Sequence, residues 1–237
     1  MTTLFCDTET DSLNPYTGKL QMIGFAIGDD KVNIIDMQDK EEYLIEWLKD
    51  LLYSKDILKV FHHANFDLLF LNLNGFKTCP QYFDTQLYFH IQDPYSSSKL
   101  KDLGESILKM EVKRLNEIIQ TKEEPGLIKI GCKNTRGYGY VKKEVLESYL
   151  RQDVSLTRDL YRYIEKKGIT DYYARIEQPI IQPILEMELR GLKIDSKKLK
   201  ILDFKLSKEI KTLERYFALK QINPRSPVQV REFIKNQ

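Results

Sequence analysis

Cysteine, histidine and tryptophan are scarce in this chain of 237 residues, which has three, three and one of them. Cys6, Cys79 and Cys132 share no ligand-like spacing, so neither a disulfide framework nor a zinc knuckle is expected, and a reducing cytoplasm fits best. Eleven glycines and eight prolines are too few for a collagen-like or low-complexity chain. No stretch approaches the roughly 18 consecutive apolar residues of a membrane-spanning helix, so a soluble protein is expected. The N-terminal Met1-Thr2-Thr3-Leu4-Phe5 carries no basic region or apolar run of a signal peptide, and a cytoplasmic location follows as the expectation. Neither sign of charge dominates, with 37 Lys plus Arg against 35 Asp plus Glu. The balance is uneven, however: from Tyr173 onward 14 basic residues face 8 acidic ones, whereas residues 1–172 hold 23 and 27. The asymmetry suggests a division of labour between the two parts, though on charge alone a solvated lysine face on a tail helix is the favoured account.

What is present is a folded, mixed pattern. Leu4–Cys6, Met22–Ile27 and Val32–Ile35 read as strands, with Gly28-Asp29-Asp30 as a hairpin turn between the last two. Helical spacing over 40–53 and a short apolar run at Ile57–Phe61 indicate a crossover to a parallel strand. Phe66–Leu73 and Leu100–Leu108 read as helices around a short strand at Tyr82–Asp84, and Glu111–Tyr140, broken by Pro125-Gly126 and Gly137, as loop. A long helix is expected from Lys142 to Lys166, stopped by Gly168. The pattern predicts a mixed α/β sheet flanked by helices in residues 1–172. A small all-helical extension follows in residues 173–237, with helices over 175–190 and 196–220 and another opening at Ser226-Pro227.

Carboxylates inside apolar patterns need a partner, because buried charge is costly unless neutralised. Asp7 and Glu9 lie two apart at the end of a strand, and so on one face. Asp67 sits in the apolar helix start Phe66-Asp67-Leu68-Leu69-Phe70, and Asp153 falls on the apolar stripe of the long helix one turn after Tyr149. Each has a local alternative: turn chemistry for Asp7, a helix cap for Asp67, an ion pair with Arg151 or Arg158 for Asp153. Their conjunction points to one shared cause, a divalent cation. Hard oxygen ligands suit Mg²⁺ or Mn²⁺ rather than zinc. Two such ions about 3.5–4 Å apart would serve in-line displacement at a phosphodiester. Tyr149 could then orient the attacking water, being a poor base with its ordinary pKa near 10.

Phe5-Cys6-Asp7-Thr8-Glu9-Thr10-Asp11-Ser12-Leu13, Asn65-Phe66-Asp67-Leu68-Leu69 and Tyr149-Leu150-Arg151-Gln152-Asp153 resemble, in order, the three motifs of the DEDD 3′-5′ exonucleases, and the Tyr-x-x-x-Asp form that of the DEDDy branch. Phe83-Asp84-Thr85 and Ser98-Lys99-Leu100-Lys101-Asp102-Leu103 resemble two further elements of that family. The likeness spans residues 3–167 and implies a ribonuclease-H-like fold with two metal ions, Mg²⁺ or Mn²⁺. Asp7, Glu9 and Asp153 would hold one, Asp7 would bridge to the second, Asp67 would complete its shell through water, and Tyr149 would act on the nucleophilic water. Thr8, Leu13, His63 and Phe66 are implied on the substrate side, Leu13 as a wedge against the 3′-terminal base. His63 stands where the family usually has Asn, four residues before the motif-two Asp, and reads as a substituted donor to substrate rather than a metal ligand.

The tail, with Glu177-Gln178-Pro179, Glu186-Met187-Glu188-Leu189-Arg190-Gly191 and Asn223-Pro224-Arg225-Ser226-Pro227, resembles the start of the thumb in family A DNA polymerases. The resemblance implies DNA proofreading: removal of nucleoside monophosphates from a single-stranded DNA 3′ end, by either a fragment of a family A polymerase or the exonuclease half of a split one whose separate polypeptide, carrying the fingers and palm, is a further partner, with no membrane involved. A non-catalytic exonuclease-like scaffold and an RNA-trimming DEDD ribonuclease are the alternatives. Scaffolds of this kind usually lose a metal carboxylate, and all four are present here.

Overall fold

The computed structural model describes residues 2–39, 41–114 and 141–235. Five strands form one sheet in the order β3-β2-β1-β4-β5, comprising β1 (Thr2–Thr10), β2 (Leu20–Ile27), β3 (Asn33–Asp36), β4 (Ile57–Phe61) and β5 (Tyr82–Asp84). β1, β2 and β3 pair antiparallel, while β4 joins β1 in parallel and β5 joins β4 in parallel. The parallel pairs require crossovers, supplied by α1 (Glu42–Tyr53) and α2 (Ala64–Leu73). Then follow α3 (Thr85–Gln92), α4 (Leu100–Ser106), α5 (Lys143–Lys167), a π-helical turn (Tyr173–Glu177) and α6 (Gln178–Arg190). Helix α3 is the element the sequence pattern did not separate, since its eight residues bury only Thr85 and Tyr88. Of the expected Glu111–Tyr140 loop, residues 111–114 form no regular element and 115–140 lie outside the described residues, as does Cys132.

Strand alternation sorts the core. Leu4 and Cys6 of β1 pack with Phe25, Leu48, Leu68 and Leu71 on one face of the sheet. Phe5 packs with Val60, Phe83, Leu150, Val154 and Tyr161 on the other, against α5. Close packing of α5 depends on Gly24: a Cβ there would lie 2.7 Å from Leu150 Cγ and 2.9 Å from Val154 Cγ2. Helix α5 ends where Gly168 takes φ +91°, a conformation open to glycine, and its amide bonds the Ile164 carbonyl at 2.9 Å.

By contacts the chain divides into Met1–Arg190 and Gly191–Gln237. Residues 173–190, assigned to the tail on sequence, pack within the first unit. The Tyr173 hydroxyl accepts from Asp84 N (2.8 Å) and donates to Asp84 O (3.1 Å), Gln178 Nε2 donates to Tyr82 O (2.7 Å), and Ile181 and Leu185 are buried in the core. In the second unit, α7 (Ser196–Leu219) is capped by Asp195, which accepts from the amides of Lys197 and Lys198, and α8 (Pro227–Lys235) follows. Neither helix buries a residue among those described, so Leu199, Leu202, Leu206, Ile210 and Leu213 line an exposed apolar stripe. No helix among the described residues is long and apolar enough to cross a membrane.

Candidate active site

Beyond Phe5 strand β1 outruns β4, which pairs only with Thr2–Phe5, so its last residues have one free edge. Alternation carries Asp7 and Glu9 onto the face of Phe5, toward α5, and turns Thr8 to the opposite face with Leu4 and Cys6. Gly24 lies opposite Asp7 in the β1–β2 register and admits the α5 turns that carry Asp153. Ligand atoms of Asp7, Glu9 and Asp153 consequently lie within 4.8 Å of one another. Glu9 is 4% exposed and Asp153 7%.

Asp67 stands outside that group, held beside it. Its Oδ1 accepts from the Thr8 amide at 3.0 Å and from the Thr8 hydroxyl at 2.6 Å, and the field of Asp7 acts on it. The expected cap role is absent, because Asp67 bonds strand β1 rather than the start of its own helix. Burial pushes the Asp7 carboxyl up to about 6, with Lys101 and the Thr8 amide pulling the other way. Burial, then repulsion from Asp7, holds both Glu9 and Asp67 well above the usual carboxylate range. Raised carboxyl groups in contact are the signature of a site short of positive charge.

Among the described residues, one cation is paired with these carboxylates. Lys101, in the first turn of α4 and 8% exposed, forms an ion pair with Asp153 Oδ1, and its ammonium lies 4.1 Å from the centre of the Tyr149 ring. Burial lowers its pKa to about 8 against the opposing pull of Asp7 and Glu9. Sequence inspection offered Arg151 and Arg158 as partners for Asp153. Both are occupied elsewhere, Arg151 on the Val32 carbonyl and Arg158 on the Asp30 carbonyl (3.1 Å) and Asp159. The signal for Lys101 was its presence in the Ser98–Leu103 element, but its burial is a tertiary matter.

Of the residues implied on the substrate side, Thr8 is buried and engaged with Asp67, and Leu13 projects 55% exposed from the β1–β2 loop. Phe66 is half-buried between His63 (6.0 Å, stacked) and Phe70 (5.0 Å). His63 is exposed and adopts φ +81°. That left-handed geometry is one in which Asn and His are both enriched, which gives a backbone reason for either residue at this position. The His63 and Ala64 amides donate to Asp84 (3.1 and 2.8 Å), which also caps α3 through the amides of Gln86 and Leu87 (2.9 and 3.1 Å). Asp84 therefore ties together the starts of two helices, a function that sequence alone did not reveal. Thr85 Oγ1 donates to Phe61 O (3.1 Å), so the Nδ1 of His62, 2.8 Å away, is the donor to it. Burial depresses the His62 pKa to about 3, and the ring is neutral.

A five-stranded mixed sheet with carboxylates gathered at the end of its first strand and on a helix crossing it defines the ribonuclease-H-like class. A 3′-5′ exonuclease family model, that of family A DNA polymerases, matches residues 1–169. The chain belongs to this 3′-5′ exonuclease family. It is 28% identical over 204 residues to DNA polymerase I of Borreliella burgdorferi, covering 82% of this chain and 21% of that protein. Among solved structures, the POL domain of Pol1 from M. smegmatis in complex with DNA primer-template and dNTP superposes with TM-score 0.60 at 19% identity, covering 96% of this chain and 36% of that one. Brucella melitensis NrnC bound to pGG gives 0.57 at 21%, covering 80% and 85%. The chain spans about one fifth of the length of the DNA polymerase I relatives it matches.

Proposed function

We propose that this chain is a divalent-metal-dependent 3′-5′ exonuclease that hydrolyses the terminal phosphodiester of single-stranded DNA and releases nucleoside monophosphates. The observation that carries the reading is the meeting of Asp7, Glu9 and Asp153 from a strand and a distant helix within 4.8 Å. An all-oxygen donor set around buried carboxylates fits Mg²⁺ or Mn²⁺. Asp7, Glu9 and Asp153 would hold one ion, and Asp7 with Asp67, the latter oriented by Thr8, the second. Metal bound there supplies an activated water and neutralises charge on the phosphoryl oxygens. Tyr149, one helical turn from Asp153, positions the attacking water. Leu13, exposed on the β1–β2 loop, is the wedge for the terminal base, and His63 and Phe66 line the strand's approach. DNA is favoured as substrate because the sequence relatives named above are DNA polymerases I. Residues 191–237 are read as part of the thumb of a family A polymerase.

Release of label from 3′-labelled DNA and RNA strands, with Mg²⁺ and with chelator, tests this reading. Expected are chelator-sensitive release of monophosphates, faster from DNA, and loss of release to the chelator background in Asp7→Ala and Asp153→Ala. Faster release from RNA would make the enzyme a ribonuclease. Strand binding with no release at all would make the domain a scaffold.

A further inference from the structure

Lys101 is buried among carboxylates in the first turn of a helix, where the backbone dipole disfavours a cation and burial strips the ammonium of water. Both costs must be offset locally, and the Asp153 ion pair together with the fields of Asp7 and Glu9 is what offsets them. Charge counting shows when this arrangement holds. Asp7, Glu9, Asp67 and Asp153 bring four negative charges when ionised, against which Lys101 sets one positive charge. Two divalent cations balance the four carboxylates completely, and a fifth positive charge among them is then surplus. An ammonium on a four-carbon stem can withdraw by bond rotation, which a fixed group could not do.

Resting on the metal-dependent reading above, we infer that Lys101 is the internal counter-ion of the metal-free site: it holds Asp153 until divalent metal displaces it, and so sets how tightly metal binds. The role is one of positioning and competition, and concerns the resting protein rather than the chemical step.

Titrating Mn²⁺ into the full chain by calorimetry, with thermal unfolding in chelator alongside, tests it on wild type, Lys101→Met, Lys101→Gln and Lys101→Arg. Removing the competing charge should tighten Mn²⁺ binding by roughly tenfold or more in the Met and Gln variants. Both should also melt at lower temperature in chelator, because their carboxylates lose the counter-ion that Lys101 supplies, and regain the difference when Mn²⁺ is added. The Arg variant keeps the charge and should show no tightening. Should Lys101→Met fold only in Mn²⁺, Lys101→Gln, which retains a donor to Asp153, supplies the comparison. Equal or weaker Mn²⁺ binding in both neutral variants, with wild type binding normally, overturns the role of Lys101 and leaves the metal site intact. Absence of Mn²⁺ binding in wild type and every variant overturns the metal site itself.

Discussion

Thr8 shows how much one side chain decides at this site. Its amide and hydroxyl both donate to Asp67 Oδ1, fixing a carboxylate that the helix itself does not hold. Thr8→Val keeps the shape and removes the hydroxyl, at an expected cost of about 0.5–1.5 kcal/mol, the range for a hydrogen bond to an uncharged partner, read by urea unfolding in chelator. Exonuclease rate should fall with it, since Asp67 gains freedom to rotate. Asp7 gives a pH signature. Its carboxyl titrates near 6 in the folded chain and at the ordinary 3.8 when unfolded, so the folded state retains a proton that the unfolded state has lost. Metal-free stability from this group is therefore full below about pH 4 and lost as pH rises through 6. His62 runs the other way: with its folded pKa depressed to about 3, its contribution is present above 6.5 and lost as pH falls toward 3. Comparing Asp7→Asn with wild type in chelator cancels His62, and the variant should gain on wild type between pH 4 and 6. A constant difference across that window would contradict the raised Asp7 pKa.

Helix α5 supplies Asp153 and Tyr149, and its distance from the sheet is set by a residue on β2. Gly24 leaves space for Leu150 and Val154 that any Cβ would occupy. Gly24→Ala should lift the middle of α5, costing about 1–3 kcal/mol of stability through overpacking. It should also lower the rate more than folding loss explains, when assayed well below the melting temperature, because Asp153 moves relative to Asp7 and Glu9. An unaltered rate in a stably folded variant would show that α5 accommodates the methyl without displacing the site. The helices themselves were legible in advance. The stripe of Leu146, Leu150, Leu160 and Ile164 predicted α5 to within a residue at each end, and Asp153 stood out as a charge on that stripe. Helix α3 was not legible: its start is defined by the cap from Asp84, while that same carboxylate binds α2 from another part of the chain.

The whole molecule divides after Arg190 rather than before Tyr173. Sequence resemblance to a polymerase thumb assigns everything from 173 onward to the tail, yet Tyr173, Ile181 and Leu185 are buried in the core of the first unit. A chain ending at 172 exposes the surfaces these three side chains cover, a loss on the order of 5 kcal/mol. A chain ending at 190 keeps them. Thermal unfolding should show a cooperative transition for residues 1–190, and a much lower or absent one for residues 1–172. Equal transitions would mean that α6 adds nothing to the fold.

Resemblance to known motifs marked the exonuclease family, and from local pattern alone the sequence determined the strands, the long helix and the carboxylates out of place within them. Those features follow from periodicities of two and 3.6, which act between near neighbours in the chain. Only the tertiary structure decided that Lys101 is the cation in the pocket, that Asp84 joins two helices, that Gly24 sets the position of Asp153, and that α6 belongs to the first unit. Each of these depends on which residue far along the chain comes to lie within a few ångströms, and burial turns a lysine or aspartate that looks solvated in sequence into a group that needs a partner.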